Sequence, residues 1–416
     1  MSRFVIEGGQ RLSGELSVQG AKNAALPLLA GCLLTEEEIK ITNVAQIRDV
    51  DSLCEIMMSL GAEIERTEGV VHVTAKDISV ADLAKDKVSS LRGSILLMGA
   101  LLGRLRSVTI PMPGGDIIGA RPIDVHLDAF KQLGATVEMG DGVVCVDGKD
   151  MKPGVVILKE LSVTATENVL LAAATLPGKT TIHLSAAEPH VRALCELLVK
   201  MGARIDGIGT HTITIEGKRK LSGAEYENIY DMIEAGTFIL LGVALKAEIS
   251  VEHVPTEDMQ IFFKILNDIG ANISITGDTV RVHPADIKGF KIQTLPYPGL
   301  ATDLQAPFSV VATQARGSSL IHDPMYEGRF KYAAELSKMG AKITVCDPHR
   351  IIIEGPTPLT GNHIPSLDIR SGITLIMAGL LARGTTIIDD AEIIDRGYAN
   401  LPERLSGVGA SIKREE

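Results

Sequence analysis

Apolar residues along this chain fall into two textures that alternate and repeat. Short stretches alternate apolar and polar positions with a period of two, as half-buried strands do: FVIEG from Phe4, VVHVT from Val70, VVCVD from Val143, TITIEG from Thr212, TVRVHP from Thr279 and RIIIEG from Arg350. Each predicts an opening strand. A second strand follows, and then a segment apolar almost all round: KNAALPLLAGCLL, RGSILLMGALLG, TENVLLAAATL, EAGTFILLGVAL, TDLQAPFSVVAT and RSGITLIMAGLLA. A helix with no polar face belongs inside a domain. A third strand (IKITNV, VTIPMP, TIHLSA, ISVEHV, SLIHDP, TIIDDA) leads into an amphipathic helix that ends in one recurring phrase: LGAEI, LGATV, MGARI, IGANI, MGAKI and VGASI. Its glycines, Gly61, Gly134, Gly202, Gly270, Gly340 and Gly409, are spaced by 73, 68, 68, 70 and 69 residues. Each glycine stands where a helix C-terminus calls for positive φ, and the β-branched residues beyond it begin a strand.

The pattern predicts six tandem βαβα units of roughly seventy residues. Three units wrapped around their buried helices make one domain, so the expected fold is α/β with two domains, dividing between the third and fourth units near Asp206 to Gly209. A chain of 416 residues is also too long for one ordinary core.

Composition narrows the class. With 45% hydrophobic and 22% charged residues the chain is globular rather than disordered. A net charge of −11 argues against a nucleic-acid surface, which relies on clustered Lys and Arg. No apolar run is long enough for a membrane span, and Met1 to Gln10 lacks a signal-peptide pattern, so a cytoplasmic protein is expected. The five cysteines are scattered and the ten histidines form no ligand pair, so no disulfide, metal or cofactor is expected.

Candidate chemistry lies at the starts of the buried helices, which carry polar residues that an apolar helix does not need. Lys22 and Asn23 open the first and Arg92 the second; Thr166, Glu167 and Asn168 open the third, Asp231 and Glu234 the fourth, Thr302 and Asp303 the fifth, Asp368 and Arg370 the sixth. Buried helices running side by side would point their free N–H groups and positive dipole ends into one space, an anion site. Ordinary N-capping would account equally for Thr166, Thr302 or Asp368. It does not account for Lys22, Arg92 and Arg370, since cations oppose the dipole there and need an anion nearby. The second unit also carries a Gly/Pro-rich insertion, IPMPGGDIIGARPIDVH, holding Asp116 and Arg121; it reads either as a surface loop or as a lid. Arg396, in IIDRGYANL, falls after a strand and at a helix start, and His126 lies beside the insertion.

GAKNAALPLLAG, PGGDIIGARPIDVH, ATDLQAPF, EGRFKYAAELSKMGA and the terminal IDRGY together resemble the UDP-N-acetylglucosamine enolpyruvyl transferases, over the whole chain. The resemblance implies an inside-out α/β barrel in each of two domains, 22–229 and 1–21 plus 230–416, with the active site in the interdomain cleft. It implies transfer of the enolpyruvyl group of phosphoenolpyruvate to the 3′-hydroxyl of UDP-N-acetylglucosamine, without cofactor or metal; no protein partner is indicated. Lys22, Arg121 and Arg396 would hold phosphoenolpyruvate, with Arg329, Asp368 and Arg370 nearby. Asn23, Arg92 and Asp303 would meet the sugar nucleotide. The run Arg121, Pro122, Ile123, Asp124 and Val125 would line the uracil pocket with Ser162, Val163 and Met325. Asp303 would be the base for the 3′-hydroxyl and Asp116 the acid for the methylene carbon. Asp116 stands where most of the family has Cys, which implies resistance to the epoxide fosfomycin. Thr164 replaces a usual Gly, Met232 an Arg, Gly93 an Ala and Ala301 a Pro. Two rivals stand beside this reading: 5-enolpyruvylshikimate-3-phosphate synthase, whose first buried helix typically begins Lys-Ser, and a catalytically silent paralogue that binds the sugar nucleotide.

Overall fold

In a computed structural model of the chain, which describes residues 2–80, 85–112, 114 and 122–416, the glycines of the recurring phrase set the architecture. All six have positive φ: 103° at Gly61, 99° at Gly134, 107° at Gly202, 88° at Gly270, 102° at Gly340 and 96° at Gly409. At each, an amphipathic helix stops. After Pro189–Lys200, for example, Gly202 N–H donates to the Val199 carbonyl and Ala203 N–H to that of Leu198, a Schellman-type closure. The chain then leaves in extended form as a strand.

The strands before and after a central helix pair in parallel, as a βαβ crossover requires: Val155–Ile157 with Gly178–His183, Lys291–Gln293 with Gly317–His322, and His363–Pro365 with Thr385–Asp389. The strand after each glycine and the opening strand of the next repeat complete the sheet in antiparallel fashion. The opening strand of one repeat therefore belongs to the sheet of the repeat before it. The chain's own first strand, Arg3–Glu7, closes the last sheet between Thr385–Asp389 and Ser411–Glu415, with Phe4 opposite Ile388 and Ile6 opposite Thr386.

Two sheets exchange a strand. Ser13–Ser17, which precedes the first central helix, pairs with Glu248–Glu252 of the fourth repeat, and Ala224–Glu227 of the fourth repeat pairs with Ile39–Thr42 of the first. The chain accordingly packs as two compact units, one made of its two ends up to Gln19 and from Tyr230 to Glu416, the other of the described residues between Gly20 and Ile229. This corrects the division expected near residues 206–209, because Thr212–Gly217 and Ala224–Glu227 remain with the sheets of the preceding repeats. The second repeat also departs from expectation. Among the described residues it has no second strand; the helix Lys85–Ser90 stands in that part of the chain, and its sheet has three strands.

The central helices are α1 (Lys22–Cys32), α2 (Leu96–Leu105), α3 (Val163–Ala173), α4 (Met232–Leu245), α5 (Gln305–Gln314) and α6 (Ile369–Leu381). They are buried nearly throughout; in α4 every residue from Ile233 to Ala244 is buried. Close approach needs small residues. A Cβ at Gly99 of α2 would lie 2.3 Å from the Asn168 carbonyl of α3, so the two helices meet backbone to backbone. Among the described residues no helix is long and apolar enough to cross a membrane.

Gly270 isolates the conformational requirement of the recurring turn, because a Cβ there would come no nearer than 3.6 Å to another atom, the Asp286 carbonyl oxygen. Gly270→Ala is expected to cost about 1 kcal/mol through the positive φ alone, lowering Tm by roughly 2–4 °C in thermal unfolding; an unchanged Tm would show that the turn does not need glycine.

Candidate active site

In the unit built from the chain ends, the starts of α4, α5 and α6 converge on one carboxylate. Asp303 lies in the short 3-10 turn Thr302–Leu304 that leads into α5. Its Oδ1 accepts from Arg329 Nη2 at 2.7 Å and its Oδ2 from Arg370 Nε at 2.9 Å. Both arginine side chains are less than a tenth exposed. Burial alone would raise the Asp303 pKa; Arg370 and Arg329 together outweigh it and hold the carboxyl well below the usual range. Arg370, in the first turn of α6, also donates from Nη1 to the Tyr398 hydroxyl at 3.0 Å.

The surrounding polar groups hold this arrangement in place. Asp368 caps α6 by accepting from the Arg370 and Ser371 amides at 2.9 and 3.0 Å, and Asp231 caps α4 through Ile233 and Glu234. Glu234 holds Arg404 with both oxygens, at 2.7 and 3.0 Å, and takes the Gln19 amide at 2.8 Å. Thr302 is no cap: its hydroxyl donates to Asp323. Fully buried Asp323 also accepts from the Thr294 hydroxyl at 2.8 Å and the Met325 amide at 2.9 Å, so it fixes both the Asp303 turn and the Met325 backbone. Arg396 is not at a helix start. It follows the short helix Ala391–Ile394, in a half-buried turn just before Tyr398.

In the other unit, Lys22 is the first residue of α1 and its Nζ lies 2.6 Å from Asp49 Oδ2, with the two side chains 12% and 6% exposed. Asn23 is half-buried beside it, and Arg92 opens the 3-10 turn Arg92–Ile95 ahead of α2. Ser162 caps α3, accepting from Ala165 N–H, with Val163 next to it. Pro122 and Asp124 are exposed at the start of the helix Asp124–Gln132, while Ile123 and Val125 turn inward. Asp116 and Arg121 lie outside the described residues.

Two expectations change here. Thr166, Glu167 and Asn168 do not open their helix, which begins at Val163; all three are buried and bind the unit together. Thr166 donates to the Ser162 carbonyl and accepts from Ala186 N–H, while Asn168 accepts from Gly99 N–H at 2.6 Å. Burial, and then Glu188, raises the Glu167 carboxyl well above its usual range. Second, the anions that helix-start cations require are partly internal: Asp49 serves Lys22 and Asp303 serves Arg370. Asp49, Asp323 and Tyr398 are the members of these clusters that sequence reasoning missed.

The substitutions noted against the family pattern also find neighbours. Gly93 leaves room for Leu26, whose Cδ1 would be 2.7 Å from a Cβ, and Met232 and Ala301 line one small hollow with Leu300 and Leu304.

The chain matches the family described as EPSP synthase (3-phosphoshikimate 1-carboxyvinyltransferase) over residues 6–405. It is 41% identical to UDP-N-acetylglucosamine 1-carboxyvinyltransferase 2 of Carboxydothermus hydrogenoformans, covering 100% of this chain and 99% of that one. It is 40% identical to the UDP-N-acetylglucosamine 1-carboxyvinyltransferase of Bacteroides thetaiotaomicron over the full length of both. Among solved structures, the enolpyruvyl transferase NikO from Streptomyces tendae superposes with a TM-score of 0.89 at 26% identity, covering 100% of this chain and 99% of that one. EPSP synthase from Acinetobacter baumannii shares the fold, with a TM-score of 0.72 at 21% identity over the full length of both. With its ion-paired Asp303, its helix-start cations and its six repeats, this chain belongs to the EPSP synthase family, among the UDP-N-acetylglucosamine 1-carboxyvinyltransferases.

Proposed function

We propose that the protein transfers the enolpyruvyl group of phosphoenolpyruvate to the 3′-hydroxyl of UDP-N-acetylglucosamine, releasing phosphate, and that it does so in the cytoplasm as a step of peptidoglycan synthesis. The observation that carries this is the half-buried Asp303 carboxylate held between Arg329 and Arg370, in a chain about 40% identical throughout to enzymes named for that reaction.

The reaction needs three things of the chain. The hydroxyl oxygen adds to C2 of phosphoenolpyruvate while C3 accepts a proton; the tetrahedral adduct then loses phosphate and a C3 proton, restoring the double bond. Phosphoenolpyruvate carries a carboxylate and a phosphate, so cations must receive it. Lys22, Arg121 and Arg396 are assigned that task, together with Arg329, Asp368 and Arg370; planar guanidinium groups suit both anions. Asn23, Arg92, the run from Arg121 to Val125, Ser162, Val163 and Met325 are assigned to the sugar nucleotide.

The hydroxyl proton goes to Asp303. A carboxylate so strongly ion-paired is a weak base, and it gains basicity when an arginine is drawn to another anion. Phosphoenolpyruvate is that anion, so its arrival both supplies the electrophile and frees the base. Asp116 is assigned as the acid that protonates C3.

The test is phosphate release from phosphoenolpyruvate by the purified protein, with UDP-N-acetylglucosamine or shikimate 3-phosphate as acceptor. Release with the sugar nucleotide alone is expected. Release with shikimate 3-phosphate would favour the sister activity, and no release with either from a folded protein that binds the nucleotide would make it a silent paralogue. Fosfomycin at concentrations that inactivate cysteine-bearing relatives is expected to leave the rate unchanged, because a carboxylate lacks the nucleophilicity of a thiolate; time-dependent loss with an adduct at Asp116 by mass spectrometry would contradict that.

A further inference from the structure

Thr164, which replaces the family's usual Gly, has its hydroxyl turned inward, to a histidine. Its Oγ1 lies 2.9 Å from His126 Nε2. His126 belongs to the helix Asp124–Gln132 and is 3% exposed; Thr164 is in the first turn of α3, directly after Ser162 and Val163. Burial, and then the neighbouring Arg92, pushes the His126 pKa down to about 4, so the ring is neutral near pH 7 and one nitrogen accepts. The Thr164 hydroxyl and His126 Nε2 share one hydrogen bond, whose direction follows the ring's tautomer.

The network continues on the other side of Thr164. Its carbonyl accepts from Asn168 Nδ2 at 2.9 Å, and Asn168 Oδ1 accepts from Gly99 N–H of α2 at 2.6 Å, where α2 and α3 are in backbone contact. His126 N–H in turn donates to the Ile123 carbonyl at 3.0 Å. One chain of hydrogen bonds therefore ties together the helix that Arg92 leads into, the Ser162–Val163 turn and the run ending at Val125.

We propose that Thr164 is a positioning residue for the nucleotide subsite, fixing through His126 the spacing between the Ser162–Val163 turn and the Pro122–Val125 run. This rests on the assignment of those two segments to UDP-N-acetylglucosamine under the proposed function. A hydroxyl that bridges two ligand-binding segments acts on the affinity of the ligand they share. Phosphoenolpyruvate touches neither segment in that assignment, so its binding is the internal control.

Initial rates of the full chain, with each substrate varied at saturating levels of the other, test this. Thr164→Val keeps the shape and removes the hydroxyl; it is expected to raise KM for UDP-N-acetylglucosamine roughly tenfold, since the buried ring nitrogen of His126 is left without its partner, with KM for phosphoenolpyruvate and kcat within about twofold. Thr164→Ser should restore the nucleotide KM to within about threefold. His126→Gln combined with Thr164→Val should be no worse than the worse single variant, because both break one link. An unchanged nucleotide KM, equal shifts in both KM values, or no rescue by serine would overturn the proposal. If Thr164→Val does not fold, His126→Gln takes its place under the same criteria. Should the wild-type protein release no phosphate, the proposed function fails first, and calorimetric binding of UDP decides the pair: tenfold weaker binding to Thr164→Val supports it, while equal or absent binding to both proteins refutes it.

Discussion

A carboxylate between two guanidinium groups, all three largely removed from water, is the constraint around which one unit is arranged. Taking charges out of water costs several kcal/mol each unless their partners are well placed, and leaving one unpaired costs more. The protein meets that demand by bringing the starts of three central helices together. Asp231 and Asp368 cap α4 and α6, Asp323 fixes the turn that carries Asp303, and the Tyr398 hydroxyl accepts a second hydrogen bond from Arg370. The caps are thus part of the site's mechanical support rather than an alternative to it. Helix N-termini bring positive potential to a place already holding two arginines, and Asp303 offsets it in the absence of another anion.

The same logic recurs in the other unit on a smaller scale. Lys22 begins α1, where a cation opposes the helix dipole, and Asp49 from the next helix answers it at 2.6 Å. In each unit a cation at the start of a central helix is held by an internal carboxylate. Such pre-pairing fixes rotamers of long side chains before binding and lowers the ordering cost at that moment.

Much of this architecture is legible in the sequence because it depends on backbone conformation. Gly61 and its five counterparts mark helix ends that need positive φ, and all six have it. The all-apolar segments are buried helices as their composition requires. What the pattern hides is pairing. Nothing local distinguishes Ser13–Ser17 or Ala224–Glu227 from other second strands, yet the first pairs with a strand 235 positions away along the chain and the second with one 185 positions away. Asp49 reads as an ordinary acid in the first turn of a helix, and Asp323, followed by proline, reads as a turn residue. Their roles come from partners far away in sequence. Thr166, Glu167 and Asn168 are misplaced for a related reason: the apolar run begins after α3 does. Thr164 and His126 were each noticed singly, but only the fold brings them to 2.9 Å.

The central claim is that Asp303 is an ion-paired carboxylate in the free protein and becomes a base when phosphoenolpyruvate engages the arginines. The direct measurement is the pH titration of its side-chain carbonyl carbon by NMR in aspartate-labelled protein, assigned with Asp303→Asn, before and after adding phosphoenolpyruvate. The account predicts a carbon that stays ionised to the lowest pH at which the free protein remains folded, and that titrates at clearly higher pH with the ligand bound. A free-protein titration at or above the ordinary aspartate value, or one that phosphoenolpyruvate leaves unmoved, would contradict it.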